Sequence, residues 1–191
     1  GLKHEGGGLM KKYIFPKDFL WGSSTSAFQV EGNCKNHDFY RWAVLGKVRD
    51  NTNPNDAVLH YEKYREDIEL LKAMNHNAAR IGLEWARIEP SDGTFNENAL
   101  EHYRNELKAM KDEGIYTMIT LHHFASPLWF ADMGSFEKQG SIKYFLRYVE
   151  HTTNSLGDLI DFYITINEPT ILAYKSYFLG EFPPGKNNLI L

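Results

Sequence analysis

One pattern recurs in this chain: a stretch of helical period followed by a short apolar run. The runs lie at 78–83, 116–121 and 162–166. Tyr61, Tyr64, Ile68 and Leu71 precede the first at helical spacing. Leu100, Tyr103, Leu107 and Met110 precede the second, and Ile142, Phe145, Val149 and Leu156 the third. The runs are too short for buried helices and rich enough in apolar and β-branched residues for strands. A helix is expected over 57–74 with Asp56 as its N-cap, Gly114 suits the C′ position of the second helix, and Gly157 stops the third. A first strand is expected near Leu20, as a turn through Phe19-Leu20-Trp21-Gly22 runs into a short, partly buried segment. Residues 33–56 read as a long polar excursion with a short helix at 39–45. Strands separated by helices demand crossover connections and a parallel sheet, here of four strands, each buried on both faces. The fold class is α/β.

Size and charge narrow the partners. With 191 residues the chain holds one domain, yet it is short for a closed eight-stranded barrel, which needs about 250. The formal charge of −4 is spread along the sequence, which argues against a basic nucleic-acid surface or a lipid-binding patch. No apolar run reaches the length of a membrane helix, and no signal-peptide core is present. Cys34 is the single cysteine, so neither an intrachain disulfide nor a cysteine-built metal site is available. A reducing compartment suits that composition, and a cytoplasmic location is expected. Residues 1–9, with Gly6-Gly7-Gly8, read as vector or linker sequence ahead of a native start near Met10, or as a disordered native arm. The domain is therefore expected over 10–191.

Polar groups gather at the ends of the apolar runs: Gln29, Arg80, His122, His123, Asn167 and Glu168. In a barrel of alternating strands and helices, the C-terminal strand ends carry the chemistry. A doubly wound sheet could present such a face too, but no Gly-x-Gly-x-x-Gly follows the first strand. Taken singly, each residue also has an ordinary reading. Glu168 suits a surface or cap position, and Asn167 an Asx-type turn before Pro169. Gln29 and His123 suit satisfied core or loop positions, and Arg80 a structural ion pair. The His122-His123 pair lacks a third ligand at motif spacing, so no metal or other cofactor is expected. Trp21, Trp85 and Trp129 fit either site lining or barrel packing.

Four motifs in order carry a resemblance. Phe15-Pro16-Lys17-Asp18-Phe19-Leu20-Trp21-Gly22 with Ser24-Thr25-Ser26-Ala27-Phe28-Gln29-Val30-Glu31-Gly32 resembles the amino-terminal signature of glycoside hydrolase family 1. Ala79-Arg80-Ile81-Gly82-Leu83-Glu84-Trp85-Ala86-Arg87-Ile88 resembles the second barrel strand of that family. Thr120-Leu121-His122-His123-Phe124 with Pro127 resembles the third, and Thr165-Ile166-Asn167-Glu168-Pro169-Thr170 the fourth.

The resemblance implies a (β/α)8 barrel of which this chain supplies about the first four β/α units, the N-terminal half of a retaining β-glucosidase or β-galactosidase. It implies that Glu168 is the general acid/base, with its pKa above the usual carboxylate value. Asn167 would bond the sugar 2-hydroxyl, Gln29 and His123 would bind the glycone, and Arg80 would pair with the nucleophile. His122 is the weaker ligand candidate, because neighbours on a strand alternate faces. The nucleophile would belong to the second half of the barrel, and Glu181, in a loop-like stretch, does not replace it. Phe124, Ala125-Ser126 and Ser135 depart from common family residues and leave glucosides, galactosides, fucosides and phospho-glycosides open. The expected partners are a β-linked glucoside or galactoside and a complementary C-terminal half-barrel. The rival is a non-enzymatic half-barrel that self-associates or binds sugar.

Overall fold

The computed structural model describes residues 13–187, and the arm expected at 1–9 lies outside them. Four strands, β1 (Gly22–Ser24), β2 (Ala78–Gly82), β3 (Tyr116–His122) and β4 (Phe162–Ile166), form one parallel sheet in sequential order. Along the chain lie α1 (Ala27–Val30), α2 (Asp38–Val44), α3 (His60–Ala73), α4 (Trp85–Ile88), α5 (Glu97–Asp112), α6 (Leu128–Asp132), α7 (Ile142–Leu156) and α8 (Pro169–Ala173). Helices α3, α5 and α7 are the long crossovers between successive strands. The arrangement is roughly half of a (β/α)8 barrel.

The core fills the space between the crossovers and one face of the sheet. Leu100, Tyr103, Leu107 and Met110 of α5 are all buried, as their spacing predicts. They share a cluster with Ile81, Ile119 and Leu121 of the sheet and with Phe145, Tyr148 and Leu156 of α7. Asn96 caps α5 by accepting hydrogen bonds from the Asn98 and Ala99 amides. Trp85 lies inside this cluster, 1% exposed and stacked on Tyr148 at 5.1 Å, so its role is packing rather than site lining.

Two expectations are corrected. The helix α3 begins at His60, and Leu59, not Asp56, takes the N-cap position in a left-handed conformation. The Asp56 segment is docked against the loop after β1 instead. There Val30 and Glu31 carbonyls accept from the Val58 and Tyr61 amides, at 3.3 and 3.4 Å, so tertiary backbone bonds replace the side-chain cap. Burial on both faces holds only for the central strands. All three residues of β1 are exposed, and on β4 Phe162 and Tyr163 retain 43% and 42% exposure. An edge strand has a neighbour on one side only, and among the described residues both edges of the sheet are open.

Ile119 sits at the centre of β3, fully buried. Ile119→Ala is expected to cost about 2–5 kcal/mol, read as a lower urea midpoint. A loss below about 1 kcal/mol would mean that the half-sheet core is loosely packed.

Candidate active site

The C-terminal ends of β2, β3 and β4 are joined by side chains. Arg80 lies within β2 rather than after it. Its Nε donates to Thr120 Oγ1 at 2.8 Å and its Nη2 to Asn167 Oδ1 at 2.6 Å. Parallel register sets Gly82 beside Thr120 and Arg80 beside Met118, so a long side chain reaches diagonally across the sheet face. Asn167 is buried, and its backbone amide donates to the His122 carbonyl at 2.9 Å. Its side chain therefore serves the Arg80 bond, not an Asx turn. Arg80 Nη1 has no protein acceptor among the described residues.

Glu168 follows directly, exposed, and its carboxylate makes neither a hydrogen bond nor an ion pair among the described residues. Its backbone is left-handed, with φ 42° and ψ 59°, and Phe124 after β3 is likewise left-handed at φ 67°. For a residue with a Cβ this conformation costs roughly 1–2 kcal/mol. Two such residues stand just beyond adjacent strand ends, where Pro169 and the Ala125 turn redirect the chain.

The two histidines have different surroundings. His122 is buried among Trp85, Phe136 and Phe145, with Nε2 3.0 Å from Ser126 Oγ. Burial drives its pKa down to about 3, with a further push from His123. His123 is half-buried, and burial followed by the Arg80 charge lowers it to about 4. Both imidazoles are neutral at neutral pH. His123 Nδ1 is itself buried and has no partner among the described residues.

Gln29 stands on α1, exposed, with its Oε1 accepting from Ser26 Oγ. It lines a cleft of about 840 Å³ together with Phe28, Phe39, Phe124 and Phe182. The structure thus unites Arg80, Asn167 and Thr120 by direct bonds and sets His123 within the field of Arg80. Gln29 belongs to the neighbouring cleft, linked to the strand ends through Phe124. Thr120 escaped the sequence reading, although alternation along β3 and a threonine in an apolar strand were the available signals. Phe39 and Phe182 carried no such signal, because their meeting at 5.2 Å is a long-range contact.

Among the described residues five acids are buried, and three of them, Glu31, Glu84 and Asp38, have pKa values raised by that burial. Burial raises Glu31 to about 7, against the opposing pull of Arg87 and a Tyr103 hydrogen bond. Burial and the Glu31 charge raise Glu84 to about 8. Burial raises Asp38 to about 7 although the Ser126 and Phe39 amides bond to it. His60 shares the sign: burial lowers it, but Glu106 at 2.8 Å and Asp67 outweigh that and raise it to about 9. Each of these groups holds its proton more tightly folded than unfolded. The stability they contribute is full below the unfolded values and is lost as pH rises through about 7–9. The melting temperature is expected to fall by roughly 5–10 °C from pH 6 to pH 9, with Glu84→Gln flattening the fall. A flat profile in the parent chain would contradict these buried proton sites.

Comparison with known proteins bears on this geometry. The family model described as glycosyl hydrolase family 1 matches residues 11–190. Beta-glucosidase A of Acetivibrio thermocellus is 33% identical over 188 residues, covering 94% of this chain and 42% of that protein. Coniferin beta-glucosidase of Pinus contorta is 34% identical, covering 89% of this chain and 35% of that protein. The solved beta-glycosidase from Pyrococcus horikoshii superposes with a TM-score of 0.84 at 34% identity, over 91% of this chain and 40% of that one. The chain spans about two fifths of the length of these relatives. With a family match along nearly its whole length and the four-strand half-barrel such proteins share, the chain belongs to glycosyl hydrolase family 1.

Proposed function

We propose that Glu168 is the general acid/base of a retaining, exo-acting β-glycosidase whose nucleophile is supplied by a complementary C-terminal half-barrel. The observation that carries this reading is the Arg80–Asn167–Thr120 arrangement fixed beside Glu168 at the strand ends of a family member. In the reaction, Glu168 protonates the glycosidic oxygen while the opposing carboxylate, held about 5–5.5 Å from the Glu168 carboxyl group, attacks the anomeric carbon. Glu168 then takes a proton from water as that water hydrolyses the glycosyl-enzyme. Arg80 spends two donors on Thr120 and Asn167, and its free Nη1 suits the nucleophile, which it would hold ionised. Asn167 still has its side-chain NH2 to donate to a sugar 2-hydroxyl. Neutral His123 and Gln29 offer hydrogen bonds to further hydroxyls. This two-carboxylate chemistry requires no cofactor. A β-glucoside is the substrate class nearest to the relatives named above, and a β-galactoside is the next to test.

The 191-residue chain alone is expected to show little hydrolysis, and addition of a complementary half to restore it. In the restored barrel, Glu168→Gln is expected to lower turnover of methyl β-glucoside by about 10²–10⁴-fold. Turnover of a dinitrophenyl glucoside, whose leaving group needs no proton, should fall far less in the glycosylation step. Unchanged methyl glucoside turnover in Glu168→Gln would sink the assignment.

The open edges favour one second reading, a non-enzymatic half-barrel. Phe15, Phe19 and Trp21 lie exposed in mutual contact beside β1, and Phe162 and Tyr163 are exposed on β4. Parallel edges flanked by aromatic side chains invite a partner or a second copy. Sedimentation separates the two readings. A stable homo-oligomer that binds sugar, and gains no hydrolysis with a complementary half, would support the second. A monomer or weak oligomer that becomes an active one-to-one complex would support the first.

A further inference from the structure

We propose that Tyr103, on the crossover helix α5 and remote from the sugar-facing groups, is a positioning residue that holds the Gln29 loop against the strand ends. This deepens the glycosidase reading and rests on it for the role of Gln29. The mechanical part stands on the contacts alone.

The helix α1 is a single four-residue turn and cannot hold its own place. Glu31 follows it, 3% exposed. The Tyr103 hydroxyl donates to Glu31 Oε1 at 2.7 Å and accepts from the Glu84 amide at 3.1 Å. One fully buried oxygen therefore joins the loop after β1 to the loop after β2. The second Glu31 oxygen accepts from Arg87 Nε at 2.7 Å, and Arg87 Nη2 donates to the Gly32 carbonyl. Arg87 lies over the Tyr61 ring, its Cζ 3.9 Å from the centroid, so the guanidinium is itself located by α3.

The other side of the loop is set by backbone contact. A Cβ on Gly82 would lie 2.9 Å from the Ala27 amide nitrogen, so α1 rests directly on the end of β2. The Gln29 amide donates to the Ser26 carbonyl at 3.1 Å, and Ser26 Oγ fixes the Gln29 side-chain oxygen. Gln29 lines the cleft, and its NH2 makes no hydrogen bond among the described residues. Tyr103 and Arg87 pull the loop inward and Gly82 limits its approach, which fixes where that NH2 lies. None of these residues touches the groups assigned to bond breaking.

The test is amide hydrogen exchange on the full 191-residue chain, residue by residue, under native conditions. Tyr103→Phe keeps the ring in the core and removes only the hydroxyl. Exchange at residues 29–32 is expected to quicken at least tenfold, with the β3 amides unchanged within about threefold. Glu31→Gln retains an acceptor for the tyrosine hydroxyl but gives up the oxygen that accepts from Arg87 Nε, and is expected to retain part of the protection, whereas Glu31→Ala loses it. A uniform acceleration along the whole chain would mean that Tyr103 contributes to global stability only, and would overturn the proposal. So would an unchanged loop in Tyr103→Phe, or equal loss in Glu31→Gln and Glu31→Ala. Because no outcome depends on hydrolysis, failure here is distinct from failure of the glycosidase reading, which the Glu168→Gln assay decides.

Discussion

The hydrogen-bond ladder between β2 and β3 is the element on which the rest depends. Parallel strands cannot be joined by a tight turn, so each pairing forces a crossover helix onto the sheet. That requirement brings α5 across the sheet and buries Tyr103, Leu107 and Met110 against Ile119 and Leu121. It also aligns the strands in one direction, with Ser24 beside Arg80 and His122 beside Ile166. All strand ends then face the same way, and groups far apart in sequence meet there. Asn167 and Arg80, 87 residues apart, are the clearest case.

How much of this was legible in the sequence follows from the range of each interaction. The helices α5 and α7 were legible because their burial repeats at the helical period, and Tyr103, Phe145 and Leu156 are buried as that period demands. The strands β2, β3 and β4 were legible as short apolar runs. The start of α3 was not, because a local cap rule pointed to Asp56 while loop carbonyls from residues 30 and 31 supplied the bonds. The exposure of β1 and β4 was hidden for a similar reason. Strand composition reports what a strand tolerates, whereas burial depends on how many neighbours it has.

The site divides along the same line. Motif resemblance named Arg80, Asn167, His123, Glu168 and Gln29 by position. It did not reveal that Arg80 divides its donors between Thr120 and Asn167, or that His122 is enclosed by aromatic rings while His123 faces Arg80. Alternation along β3 separates the two histidines in principle. Their environments are set by Trp85 of α4, Ser126, Phe136 and Phe145 of α7 around His122, and by Arg80 of β2 near His123, which no local pattern encodes. The buried acids Glu31, Glu84 and Asp38 stood in plain view as charged letters, and only packing reveals that folding takes them out of water.

The backbone at Glu168 has a consequence of its own. An exposed side chain gains little from packing, and the left-handed conformation at φ 42° disfavours any residue other than glycine or asparagine. Considered for folding alone, this position would relax toward glycine. A carboxylate there is a local frustration that the surrounding half-barrel must carry, drawn from the same free energy that keeps the strands paired. Under the proposed acid/base role of Glu168, stability and chemistry compete at a single residue, and a chain optimised solely to fold would surrender it first.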